Sequence, residues 1–137
     1  MSAEYFLDTN VLVYAFDQTQ PEKRARARDL LDPERDWAIS WQVIQEFSSV
    51  ALHRFAEPVN PKFLENFLEL VLWPKCRVMP SQNLYAAAIA LHGKAQYRFY
   101  DSLIVAAAME SGAPTLWTED LQGGREFGGL RIENPFS

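Results

Sequence analysis

The stretch Tyr100-Asp101-Ser102-Leu103-Ile104-Val105-Ala106-Ala107-Ala108-Met109 decides how the rest of the chain reads. One carboxylate opens it, and the seven residues after Ser102 are all apolar. A helix that is apolar all round is a buried helix, so Asp101 is expected at the N-terminal end of an element running through the core. Free backbone N–H groups and the helix dipole favour negative charge there. Asp is also a favoured N-cap residue. Position alone therefore leaves two readings of Asp101, a cap or an acid held for chemistry.

Outward from this helix, short apolar runs alternate with helical patterns. Tyr5-Phe6-Leu7 reads as a buried strand ending at Asp8-Thr9-Asn10, with Thr9 or Asn10 capping a short helix through Val11, Leu12 and Tyr14. Asp8 thus falls at the carboxyl end of a strand, where open α/β sheets place their ligands; a plain turn residue is the alternative. Pro21-Glu22 opens a second helix with basic margins at Lys23, Arg24, Arg26 and Arg28. A solvated face explains these as readily as a phosphate-binding patch does. Trp37-Ala38-Ile39-Ser40 reads as the second strand, and a helix from Trp41 to about Phe55 follows. Glu46 lies at the border of that helix's apolar arc. Surface residues snorkel from such borders, and a carboxylate facing a cleft beside the core sits there too.

Pro58-Val59-Asn60-Pro61 is a loop leading to a helix over 61–72, which Pro74 ends; the two helices are expected to pair as a hairpin. Cys76-Arg77-Val78-Met79 is the third strand, and Ser81 caps a long Ala-rich helix to Ala95. His92 near its end reads as a helix-end polar residue before a metal ligand. Ser111-Gly112 stops the Asp101 helix, and Thr115-Leu116-Trp117-Thr118 makes the fourth strand with Glu119-Asp120 just past its end. Gly123-Gly124 and Gly128-Gly129 mark a flexible loop lacking a phosphate-cradle pattern, and Leu130-Arg131-Ile132 is a last strand. Strands alternating with helices imply an α/β fold with a mainly parallel sheet.

Composition bounds the possibilities. A chain of 137 residues, 48% hydrophobic, fits one globular domain over residues 1–137. A single cysteine, Cys76, rules out an internal disulfide and suits a reducing cytoplasm. The first residues, Met1-Ser2-Ala3-Glu4-Tyr5, lack the basic region of a signal peptide, and no apolar run is long enough to cross a bilayer. The formal charge of −5 argues against coating nucleic acid by bulk electrostatics. It leaves room for an enzyme that meets phosphates through metal ions and a local basic patch.

Four acids then stand out: Asp8 and Asp120 after strands, Asp101 opening a buried helix, Glu46 bordering an apolar arc. Carboxylates brought close repel and raise each other's pKa, which costs stability unless cations offset it. Mg²⁺ or Mn²⁺ does so, taking carboxylate oxygens, keeping waters and accepting a phosphate. No Cys/His set has zinc spacing. The chemistry that follows is metal-assisted phosphodiester hydrolysis.

These residues also resemble a family. Leu7-Asp8-Thr9-Asn10-Val11-Leu12-Val13-Tyr14, Ser40-Trp41-Gln42-Val43-Ile44-Gln45-Glu46-Phe47, Tyr100-Asp101-Ser102-Leu103-Ile104-Val105-Ala106-Ala107 and Leu116-Trp117-Thr118-Glu119-Asp120-Leu121 are similar, in order and spacing, to the four motifs of PIN-domain ribonucleases. The likeness is specifically to the VapC toxins of prokaryotic type II toxin–antitoxin systems. It implies a PIN-like three-layer sandwich with Asp8, Glu46, Asp101 and Asp120 as metal-site and catalytic acids and Thr118 as the nearby hydroxyl. It further implies Mg²⁺- or Mn²⁺-dependent endoribonuclease activity on tRNA or ribosomal RNA, a homodimer, and inhibition by a cognate antitoxin. Glu119 adjoins Asp120, so the fourth motif offers two acids, of which Asp120 is preferred. Arg24, Arg28, Lys94 and Arg98 are candidates for RNA contacts. Two rivals remain: a PIN-like module that binds RNA or a partner without cutting, and a phosphatase of the haloacid dehalogenase type, which wants a second Asp where this chain has Asn10.

Overall fold

The computed structural model describes residues 2–137; Met1, where the expected domain and the signal-peptide reading begin, lies outside the described residues. Three strands run β1 (Tyr5–Leu7), β2 (Trp37–Ser40) and β3 (Cys76–Val78), and three more follow as β4 (Thr115–Trp117), β5 (Glu126–Phe127) and β6 (Leu130–Glu133). They form one sheet in the order β3-β2-β1-β4-β6-β5, parallel throughout except for the antiparallel β5–β6 pair. The helices are α1 (Thr9–Tyr14), α2 (Pro21–Leu30), α3 (Trp41–His53), α4 (Pro61–Phe67), α5 (Gln82–Ala95) and α6 (Phe99–Glu110). The expected α/β sandwich is what forms.

Strand β1 is buried at every residue, as is β2. Such runs suit a parallel sheet covered on both faces. Phe6, Leu7, Trp37 and Ile39 have no exposed surface, and each large side chain so buried contributes about 1.5–3 kcal/mol. Helix α6 packs on β2, β4 and α5, with Ser102 through Ala108 all buried. The helix that is apolar all round is the buried helix. Its end is set by Gly112, whose φ of +76° is open to glycine and whose added Cβ would meet Ser2 Oγ at 2.5 Å. Across the sheet's other helices, Phe16 and Phe47 lie 5.6 Å apart and Phe47 and Phe67 5.7 Å, so α3 and α4 pair as expected.

Four local details differ from the sequence reading. Asp8 itself caps α1, its carboxylate accepting from Thr9 N, so neither Thr9 nor Asn10 is the cap. Asp101 is not a cap: Arg98 occupies that place and Asp101 sits in the first turn of α6. The helix expected over 61–72 stays α-helical only to Phe67; a π-helical turn (Leu68–Leu72) and a 3₁₀ turn (Trp73–Lys75) carry Pro74 in a position where its missing N–H is tolerated. The glycine-rich loop holds strand β5, paired with β6. No described helix is long and apolar enough to cross a membrane.

This topology fixes where a site can be. From β1 the chain adds β2 and β3 on one side, then crosses to add β4 and β6 on the other. Strand order therefore reverses between β1 and β4, and the crevice outside the carboxyl ends of such strands is where open α/β sheets bind ligands. Asp8 ends β1, and Thr118-Glu119-Asp120 ends β4.

Candidate active site

Asp8 is the hub of this crevice. Its Oδ1 accepts from Thr9 N at 2.7 Å, and its Oδ2 accepts from Thr118 Oγ1 at 2.8 Å. Thr118 is itself fully buried, and its hydroxyl oxygen also accepts from Asp120 N at 3.1 Å. One side chain thus ties the acid of β1 to the acid beyond β4. Asn10 makes the second tie. Its Nδ2 lies 3.1 Å from Thr118 Oγ1, 3.2 Å from Asp120 Oδ2 and 3.3 Å from Asp8 Oδ2, while its Oδ1 accepts from Glu119 N. Two amide protons cannot serve three acceptors at full strength, so Asn10 is a shared clamp between two carboxylates. An amide stands where the phosphatase reading wanted a second nucleophilic-motif Asp.

Glu46 reaches the same cleft from α3. Its Oε1 accepts from Thr9 Oγ1 at 2.7 Å, and its Oε2 from Gln42 Nε2 at 3.3 Å. Gln42 sits one helical turn earlier, the spacing at which side chains meet, and the same amide nitrogen also donates to Tyr100 O at 3.2 Å. Glu46 is in this way linked to the residue before Asp101. Asp101 does not join the network directly; its nearest charged partner is Arg98, with Nε 3.8 Å from Oδ2.

Electrostatics mark Asp8 out. Burial pushes its pKa from 3.8 up to about 7; the Thr118 and Thr9 hydrogen bonds pull it back, and the Asp120 and Glu46 charges push it further up. The protein thus holds an acid where its ionised form is disfavoured, a condition that a bound cation relieves. Among the described residues no three Asp, Glu, His or Cys form a finished metal cage. The donor set is nonetheless of carboxylate oxygens, the kind that hard divalent cations take.

Glu119 lines the same cleft but is held by other partners. Its Oε2 accepts from Lys23 Nζ at 2.6 Å and its Oε1 from Tyr14 Oη at 2.5 Å, and these two contacts hold its carboxyl below the usual range. Lys23 also lies over the Tyr14 ring, 4.8 Å from its centre. The pair of adjacent acids is thereby divided: Asp120 turns to the clamp, Glu119 to a clasp on α1 and α2. An open cleft of about 640 Å³ runs past Thr9, Asn10, Glu46, Arg54, Glu119 and Asp120. Of the basic candidates, Arg28 is spent on Ala15 O at 2.8 Å and Arg98 is almost wholly exposed, whereas Arg54 lines the cleft itself. His92 bonds Tyr97 O through Nδ1, a helix-end role. The sequence reading overlooked Asn10, Gln42 and Arg54; for Gln42 the four-residue spacing from Glu46 was the available signal.

A sequence model of the PIN domain matches residues 5–122, and the chain belongs to the PIN-domain family. Solved structures agree in fold. A toxin–antitoxin complex from Klebsiella pneumoniae is similar at 20% identity with a TM-score of 0.67, covering 96% of this chain and 98% of that one. VapBC2 from Rickettsia felis, bound to a DNA fragment from its promoter, is similar at 23% and 0.65, covering 95% and 97%. FitAcB from Neisseria gonorrhoeae is similar at 21% and 0.64, covering 96% and 97%. Among curated proteins the sequence finds no match.

Proposed function

We propose that this PIN domain is a metal-dependent endoribonuclease acting as the toxin of a toxin–antitoxin pair in the cytoplasm. The observation that carries the reading is Asp8, buried and pressed by Asp120 and Glu46 across a cleft at the sheet's switch point. Asp8, Glu46, Asp101 and Asp120 would hold Mg²⁺ or Mn²⁺, directly or through water. When bound, the metal polarises the RNA phosphate, lowers the pKa of the attacking water and stabilises the leaving oxygen.

The chain's own residues prepare that site. Thr118 and the Thr9 amide fix the Asp8 carboxylate, and Asn10 fixes Asp120. Thr9 and Gln42 fix Glu46 from opposite sides. Arg54, on the cleft wall, offers a cation to the substrate backbone. The antitoxin, the homodimer and a tRNA or ribosomal RNA substrate are carried over from the resemblance and from the toxin–antitoxin complexes that share the fold.

The direct test is RNA cleavage by the wild type with and without EDTA, beside Asp101→Asn. Cleavage is expected to need the metal and to fall in the variant; full activity in EDTA, or an undiminished Asp101→Asn enzyme, refutes the assignment. Expression is expected to arrest growth, and co-expression of a small neighbouring-gene protein to relieve it. The division of the adjacent acids gives a sharper prediction. Glu119→Gln is expected to lower cleavage by no more than about tenfold, as for a residue that supports a ligand, while Asp120→Asn costs roughly a hundredfold or more. Equal losses in the two would show that Glu119 also approaches the metal.

A further inference from the structure

Of the four acids, Asp101 is the one whose side chain the network does not hold. Asp8 and Asp120 share the Asn10 amide, and Glu46 is bonded to Thr9. The one ion pair of Asp101 among the described residues is with Arg98, whose side chain is 93% exposed, and a pair so wet fixes little. Asp101 therefore stands wherever the start of α6 stands. That start lacks a side-chain cap, since Arg98 makes no such bond. A hydrogen bond from α3 holds it instead: Gln42 Nε2 donates to Tyr100 O at 3.2 Å, on the peptide unit that leads directly into Asp101.

The same nitrogen serves the other acid. An amide Nε2 carries two protons; the second goes to Glu46 Oε2 at 3.3 Å. A carboxylate and a carbonyl only accept, so the side chain cannot be turned round. Its Oε1 is buried with no partner. A buried acceptor left alone destabilises a fold, and an apolar side chain of that length would avoid the loss. The other buried residues of α3 are Val43, Ile44, Phe47 and Ala51, all apolar. An amide standing among them with one end stranded points to a task for the other end.

We propose that Gln42 is a positioning residue that sets the spacing between Glu46 and Asp101. One amide proton goes to the first acid and the other to the carbonyl just before the second. Its effect is on how tightly the cleft takes a divalent cation, and the stranded oxygen is the cost in stability. The proposal rests on the metal-dependent reading of the site.

The test separates metal affinity from stability. Mn²⁺ binding to the full chain is followed by electron paramagnetic resonance without RNA, and melting is followed in EDTA. Gln42→Met keeps the length of the side chain while deleting both donors and the stranded acceptor. It is expected to melt within about three degrees of the wild type and to bind Mn²⁺ about 10- to 100-fold more weakly. Its RNA cleavage is expected to recover as Mn²⁺ is raised, because all four acids remain. Added to Asp101→Asn, Gln42→Met is expected to weaken Mn²⁺ by less than about threefold more, since the acid it places is already gone. In the wild type, Mg²⁺ is expected to shift the Gln42 side-chain amide resonances. A Gln42→Met chain that is unfolded in EDTA would make the residue structural and overturn the proposal. So would unchanged Mn²⁺ affinity, a full loss on top of Asp101→Asn, or amide resonances unmoved at saturating Mg²⁺. Each of these leaves the metal reading standing; a wild type that binds no Mn²⁺ removes that reading itself.

Discussion

Asp8→Asn is expected to abolish RNA cleavage while raising the melting temperature at pH 8. The loss of activity is at least about a thousandfold, since an uncharged amide cannot replace a carboxylate under a divalent cation. The gain in stability follows from the same burial. In the folded chain the Asp8 pKa stands at about 7, against 3.8 for the free group. Three pKa units amount to on the order of 4 kcal/mol. The sign is that of a raised folded pKa: the neutral carboxyl's contribution is whole below pH ~4 and is lost as pH rises through about 7. Metal-free wild type and variant should therefore melt closest together near pH 4 and separate progressively, by several degrees, as pH rises to 8, the wild type lower. Mg²⁺ or Mn²⁺ at pH 8 should lift the wild type and leave the variant unmoved. A gap that stays constant from pH 5 to 8, or a variant that melts lower at pH 8, would contradict this account of Asp8.

The second large effect is expected at Thr118. Valine keeps the shape of the side chain and deletes the hydroxyl that donates to Asp8 and accepts from Asp120 N and Asn10 Nδ2. At a position with no exposed surface, water cannot fill in. Thr118→Val should cost about 1–3 kcal/mol in urea or thermal unfolding. Cleavage should fall a further 10- to 100-fold, roughly the scale for losing a group that orients a metal ligand. Thr118→Ser, which restores the hydroxyl, should recover most of both. A valine variant as stable and active as the wild type would show that the network does not depend on this group.

What could be read from the chain was whatever repeats over a few residues. The apolar runs at Tyr5–Leu7, Trp37–Ser40 and Thr115–Trp117 became strands, and the run after Ser102 became the buried helix, because burial on all sides leaves no polar positions. Acids at the ends of such runs then fell into the crevice, as with Asp8 and Asp120. Local pattern said nothing about partners chosen across the fold. Asn10 looked like a cap residue, yet its amide is spent on Thr118, Asp120 and Glu119, more than a hundred residues away. Glu119 and Asp120 adjoin in sequence, where only the likeness of the fourth motif preferred Asp120; what local pattern could not show is that Lys23 of α2 takes Glu119 alone. Asp101 was placed correctly at a helix start, but the helix begins one residue before Tyr100, which put the acid in the first turn and not at the cap. The strand β5 escaped notice because a two-residue strand flanked by glycine pairs carries no period.

The pairing of β1 with β4 also sets a timetable for biosynthesis. Asp8 leaves the ribosome early, whereas Thr118, its hydrogen-bond partner, is made 110 residues later. A nascent chain carrying α1 through α5 has the first two acids but not the strand that completes their crevice. On the proposed ribonuclease reading, the chain would stay harmless to the ribosome making it until nearly all of it had emerged, leaving that interval for an antitoxin to be ready.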